Sequence, residues 1–288
     1  MIWQTARFRI DLALPRVMGI VNVTPDSFSD GDPSSTPARA LATCERLLKE
    51  GADLLDFGGE SSRPGAEPVS AETELARLLP VLREAVGFGC PISVDTTKPE
   101  VMRAALDLGA DIVNDVSALR APGALELVAS HPACGVCLMH MRGTPATMQA
   151  DTQYADVVAE VVAFLSGRIA MLEGHGMARE RIVVDPGIGF GKAPAQNLEL
   201  LQRQGELLAI GVPILAGWSR KATLARLAGV AATPPAQRSQ AQRALLDAAS
   251  VTASLLAVER GARVVRVHDV QSMVAALSVW TAASGQRR

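Results

Sequence analysis

Apolar residues along this chain gather in short runs bounded by turn-forming residues. Between the runs lie longer segments in which apolar positions recur at the helical period. The short runs cover residues 17–23, 53–57, 92–95, 112–115, 135–140, 181–185, 213–217 and 263–268. They predict eight strands, too continuously apolar to keep one face in water, as expected of a parallel sheet covered on both sides. The helical segments alternate with them, at 37–50, 71–86, 99–108, 123–130, 155–175, 197–208, 237–260 and 270–283. Their starts carry suitable residues: Ser70 and Asp269 as side-chain caps, and Pro37 and Pro99 in a first turn.

The alternation runs on without a linker or a change of composition, so one domain is expected over 1–288, with a barrel core at about 17–283. Eight strands each followed by a helix fit either an open doubly wound sheet or a closed barrel. No dinucleotide-binding glycine fingerprint occurs, and no pair of strands is short or polar enough to form edges. The expected fold class is therefore α/β, as a single (β/α)8 TIM barrel.

Composition narrows the function. At 288 residues, 48% hydrophobic and 20% charged, the chain can fill a large core. With 28 basic and 30 acidic residues it has no basic face for nucleic acid, so any anion is held locally. Arg7, Arg9 and Asp11 interrupt the opening residues, so no signal peptide is expected, and no stretch of about 18 apolar residues predicts a membrane span. A soluble, cytoplasmic protein without membrane contact is expected. Cys134 and Cys137 form a C-x-x-C, but no second pair stands at zinc-ligand spacing. Three residues apart on a strand they face opposite ways, so both read as buried structural thiols. Gly187, Gly189 and Gly191 before Lys192 resemble a phosphate loop. Pro186 and Ala193 break the Walker pattern, and Lys192 breaks the dinucleotide one. The segment reads as a flexible rim loop beside a ligand.

The chemistry is concentrated at strand ends. Asn22, Asp95, Asn114 with Asp115, His140, Asp185, Ser219 to Lys221, and Arg266 with His268 all follow apolar strand residues, and Glu60 to Arg63 follow two glycines. In a parallel barrel these ends meet at one rim, where active sites of this fold lie. Asp26, Asp115 and Asp269 also read as ordinary turn formers or caps. Asp95 and Asp185 leave strands that read as buried, where an uncompensated carboxylate is costly, so each calls for a ligand or a cation.

These motifs resemble those of the dihydropteroate synthase family. The segment 18–31, MGIVNVTPDSFSDG, is similar to that family's opening signature, and 58–65, GGESSRPG, to its second. Ser93-Val94-Asp95-Thr96, Asn114-Asp115-Val116-Ser117, Met139-His140, the segment 185–192, Ser219-Arg220-Lys221 and Arg266-Val267-His268-Asp269 follow in the family's order. The resemblance implies a transferase joining 6-hydroxymethyl-7,8-dihydropterin diphosphate to 4-aminobenzoate, with Mg2+ as cofactor and a homodimer as the assembly. It also implies that Asp95, Asn114, Asp185 and Lys221 hold the pterin, and that Asn22 helps hold Mg2+ on the diphosphate. Arg63, Arg266 and His268 would add positive charge and hydrogen bonds there. Ser62, Arg63, Pro64, Phe190, Ser219 and Lys221 would border the aminobenzoate. Three positions depart from the family pattern: Ser62, Trp218 and Ala222. Bulky Trp218 falls next to Ser219 and Lys221, at the aminobenzoate end. Val274, Ala275, Leu277 and Trp280 are the expected apolar patch for dimer contact. A pterin-binding methyltransferase shares the pterin groups but does not need the anion-holding Asn22, Arg63 and Arg266.

Overall fold

The computed structural model describes residues 1–24, 36–61 and 65–285. An antiparallel hairpin, β1 (Ile2–Gln4) and β2 (Arg9–Asp11), precedes the alternating part. There follow β3 (Arg16–Asn22), α1 (Thr36–Lys49), β4 (Leu54–Gly58), α2 (Ala71–Ala85), β5 (Ile92–Asp95), α3 (Pro99–Asp107), β6 (Ile112–Asp115) and α4 (Ala124–Ser130). The second half holds β7 (Gly135–Met139), α5 (Val157–Gly174), β8 (Ile182–Asp185), α6 (Pro194–Gln202), β9 (Ile214–Ala216), α7 (Ala222–Leu227), α8 (Gln240–Glu259), β10 (Ala262–Val267) and α9 (Val270–Ala283). Strands β3 to β10 close into a parallel barrel in sequence order, with β10 pairing β3. The eight expected strands are present, each within a residue or two of its expected bounds.

Side chains on a strand alternate between its two faces, so two sets of positions arise. The outward set, including Val17, Leu55, Phe57, Val94, Val136, Val184 and Val265, packs under the helices in two large hydrophobic clusters. The inward set begins at the bottom with Met18, Leu54, Ile112, Cys137, Val183, Leu215 and Val264. Trp3, Ile10 and Leu12 of the hairpin join that cluster and plug the barrel floor, and the Trp3 indole donates to the Arg181 carbonyl at 3.0 Å. Two residues further along, the same inward parity delivers Asp56, Asn114, Asp185 and Arg266. The period of two thus carries each strand from an apolar floor to a polar mouth.

Several expectations change. The hairpin was not foreseen, because its three-residue strands are too short to show a period. The helix expected over 197–208 starts earlier, at Pro194, and ends at Gln202. A 3-10 turn, Gln204–Ile210, then lets buried Gln204 donate to the carbonyls of Ala257 and Arg260. Residues 237–260 start their helix only at Gln240, where the Ser239 hydroxyl accepts from the Gln242 N–H. The short α7 is additional. Ser70 and Asp269 do cap α2 and α9. Of the expected contact patch, Leu277 is buried in the barrel-facing cluster, Val274 and Trp280 pack partly against it, and Ala275 is exposed; Val279 is the exposed large apolar residue of α9. Cys134 and Cys137 are free and buried, one in the outer layer and one inside the barrel. Among the described residues no helix is long and apolar enough to cross a membrane.

Trp3→Ala should empty the floor of the barrel and remove the bond to Arg181. An equilibrium urea series is expected to show a loss of about 3–5 kcal/mol; a loss below about 1 kcal/mol would make the hairpin a dispensable cover.

Candidate active site

At the mouth of the barrel the register sets Asn22, Gly58, Asp95 and Asn114 side by side on four neighbouring strands. Across from them Asp185 ends β8. Arg266, on β10, spans the space between. Its Nε donates to Asp56 at 2.6 Å and its Nη2 to Asp95 at 2.8 Å. Two nitrogens of this guanidinium, expected beside the departing anion, are thus committed to carboxylates. Burial opposes its charge, but Asp56 and Asp95 outweigh that and raise its pKa.

Asp95 is pushed up to about 7, first by burial and then by repulsion from Asp56, Asp115 and Glu74, against the pull of Arg266. Burial likewise raises Asp185, opposed by the Gly187 N–H at 2.7 Å and by Lys221, Lys192 and Arg266. Lys221 is drawn down to about 8 by burial, with Arg266 adding to the fall and Asp185 and Asp95 opposing it. Its ammonium lies 4.1 Å from the centre of the Phe190 ring, a cation–π contact that holds both side chains over the same side of the mouth. Neighbouring Arg220 turns outward to Asp247 on α8, leaving the mouth to Lys221. Ser219 and His268 form a third group: the Ser219 hydroxyl oxygen accepts the His268 backbone N–H at 3.1 Å and lies 2.9 Å from its Nδ1. Trp218, the bulky departure from the family pattern, is buried in the outer hydrophobic layer.

The glycine segment is not a flexible loop. Lys192, 2% exposed, donates to the carbonyls of Gly187, Phe190 and His140 and lies 2.9 Å from His140 Nδ1. Burial lowers Lys192 to about 7 and, with repulsion from Lys192 and Arg142, lowers His140 to about 2, so the imidazole stays neutral. Gly187 has φ +71°, and a Cβ there would collide with the His140 carbonyl. Asp115 is absorbed locally, as its turn-former reading has it: it accepts from Ser117 and the Leu119 N–H. At the rim beside β4, Lys98 bridges Glu60 and Glu74 at 2.7 and 2.6 Å. Glu60 also accepts the Val69 N–H at 2.9 Å. Ser62, Arg63 and Pro64, like Asp26, lie outside the described residues.

Asp56, Ser93 and Lys192 were overlooked. The signal for Asp56 was present, since it is a charge in mid-strand on the same parity as Leu54. Ser93, beneath Asp95 on the same parity, donates to Asp56 at 2.6 Å.

A closed parallel barrel whose mouth presents carboxylates and an amide beside two cations defines a small-molecule site for a ligand rich in N–H donors. The chain belongs to the pterin binding enzyme family, whose model matches residues 18–268. It is 50% identical over 286 residues to the dihydropteroate synthase of Neisseria meningitidis serogroup B, covering 98% of this chain and 97% of that one. Xanthomonas albilineans dihydropteroate synthase with 4-aminobenzoic acid superimposes with a TM-score of 0.87 at 50% identity, over 97% of this chain and 96% of that one. Burkholderia cenocepacia dihydropteroate synthase complexed with 7,8-dihydropteroate gives 0.86 at 45% identity, over 99% and 96%.

Lys192→Met should leave the buried His140 and Phe190 carbonyls without their donor, each unpaired acceptor costing about 1–3 kcal/mol, while the Gly187 carbonyl keeps the Phe190 N–H. The variant is expected to lose about 3 kcal/mol of stability or more, and to exchange the amides of 187–192 faster with deuterated solvent. Unchanged exchange would show that the segment holds itself.

Proposed function

We propose that the chain is a dihydropteroate synthase, condensing 6-hydroxymethyl-7,8-dihydropterin diphosphate with 4-aminobenzoate to give 7,8-dihydropteroate and diphosphate. The observation that carries this reading is the set Asp95, Asn114, Asp185, Lys221 and Arg266 at one barrel mouth. It suits the amino-pyrimidinone edge of a pterin, whose N–H groups donate to carboxylates and amide while its carbonyl accepts from an ammonium. The relatives bound to 4-aminobenzoic acid and to dihydropteroate support both ends of the reaction.

In the reaction the methylene C–O bond breaks and its electron pair leaves with diphosphate. The amine lone pair of aminobenzoate then forms the C–N bond, and nitrogen releases its proton to solvent. Departure ahead of attack leaves a positive charge spread into the dihydropterin, which Asp95 and Asp185 stabilise from their low-dielectric positions. His268, Arg63 and the remaining donors of Arg266 act on the leaving anion. Ser62, Pro64, Phe190, Ser219 and Lys221 position the arylamine, which is neutral and needs placement more than a strong base.

Asn22 fits the Mg2+ that this family resemblance implies. It ends β3 with one amide oxygen, and among the described residues no three His, Cys, Asp or Glu side chains form a cage. That donor set suits a hard ion carried in largely by diphosphate oxygens. Bound there, Mg2+ would offset diphosphate charge. The same reading carries a cytoplasmic homodimer; exposed Leu245 on α8 and Val279 on α9 offer apolar contact, and sedimentation checks the assembly.

Purified protein given the dihydropterin diphosphate, 4-aminobenzoate and Mg2+ should release diphosphate and form dihydropteroate in equal amounts. No product, with or without added methyl donors, would overturn the assignment.

Pterin affinity should also be bell-shaped in pH. Asp95 must be ionised to accept, so binding weakens as pH falls below about 7; Lys221 must keep its proton to donate, so it weakens again above about 8. Calorimetry with 6-hydroxymethylpterin, which lacks the diphosphate, checks this; constant affinity from about pH 6 to 9 would detach both charges from recognition.

A further inference from the structure

Asp56 stands in the middle of β4 with no exposed surface, so it cannot touch a ligand in the mouth. It nevertheless bonds two residues that can. Its Oδ2 accepts from Asn114 Nδ2 at 3.2 Å and from Arg266 Nε at 2.6 Å, and its Oδ1 accepts from the Ser93 hydroxyl at 2.6 Å. A carboxylate surrounded by three donors, one of them a guanidinium, only accepts. The Asn114 amide therefore has one permitted orientation, nitrogen toward Asp56 and oxygen away from it. Among the described residues that oxygen has no protein partner, and it is not sealed from solvent, so it opens into the mouth. Arg266, held at Nε, delivers Nη2 to Asp95 Oδ2 and leaves Asp95 Oδ1 open in the same way.

We propose that Asp56 is a positioning residue for the pterin: it sets the polarity of the Asn114 amide and, through Arg266, the orientation of the Asp95 carboxylate, so that two acceptors face the mouth before substrate arrives. This rests on the pterin-binding reading above. Without Asp56 the Asn114 amide is free to turn its NH2 group inward, where it would meet the N–H groups of the ligand. The cost falls on recognition of the pterin and not on the aminobenzoate end, because Ser219, Phe190 and Lys221 make no bond to Asp56.

The test uses the full-length enzyme and 6-hydroxymethylpterin in a calorimeter, with steady-state kinetics alongside. Asp56→Ala is expected to weaken pterin binding at least tenfold and to raise KM for the dihydropterin diphosphate, with KM for 4-aminobenzoate within about twofold. Asp56→Asn, which keeps one acceptor of the same shape, should recover part of the loss. In an Asn114→Ala background the further effect of Asp56→Ala should shrink at least threefold, because the amide it orients is gone. Pterin affinity within twofold of the parent in both single variants would overturn the proposal. So would equal rises in both KM values, or effects of Asp56→Ala and Asn114→Ala that simply multiply; these would make Asp56 a structural group only. If Asp56→Ala does not fold, Asp56→Asn decides: it should bind pterin at least threefold more weakly with its melting temperature kept. A parent enzyme that binds no pterin would instead overturn the functional reading on which the inference stands.

Discussion

A guanidinium shared between two carboxylates inside the barrel is the interaction on which the site depends. Removing three charges from water is costly, and only close mutual pairing and saturated hydrogen bonding make it tolerable. Arg266 meets that requirement with one donor to Asp56 and another to Asp95, while Ser93 and Asn114 fill the rest of Asp56. The arrangement leaves Asp95 still so poorly solvated that its proton is lost only near neutrality. A ligand that brings N–H donors relieves this directly. The network is thus both a stable internal structure and an unfinished one, completed from outside.

Two kinds of rigidity surround it. Beneath, the hairpin and the inward apolar layer fix the strands whose next inward residues are the polar ones. Beside it, Lys192 gathers the carbonyls of the segment after β8 and so holds Phe190, over whose ring Lys221 sits. An ammonium does here what a strand ladder cannot, since a run of left-handed glycines offers no regular partner. The groups that meet substrate are therefore carried on backbone with little freedom, which is what close electrostatic complementarity demands.

Much of this was legible along the chain. Periodicity revealed the eight strands because each is buried on both faces. Polar residues at their ends stood out against apolar neighbours, and Asp95, Asn114, Asp185, Ser219, Lys221, Arg266 and His268 do meet at one mouth. What could not be read was pairing across distance. Arg266 and Asp56 stand 210 residues apart, and nothing local to either names the other. Lys192 followed three glycines and looked like part of a mobile loop, because the carbonyls that hold it carry no sequence signature. The break after Gln202 escaped for the same reason: it depends on carbonyls of α8 and the turn after it, supplied by another part of the chain.

The order of the barrel has a consequence for synthesis. Arg266 lies on β10, the strand that pairs with β3 to close the ring, whereas Asp56 and Asp95 belong to its first half. As the chain leaves the ribosome, both carboxylates are made long before their counter-ion exists. Burying them together in a partly emerged chain would leave two carboxylates without a cation, a cost that the final strand removes. Closure and charge neutralisation then occur together, and a polypeptide cut short before Arg266 lacks not only the last stave of the barrel but the cation that allows the others to come together.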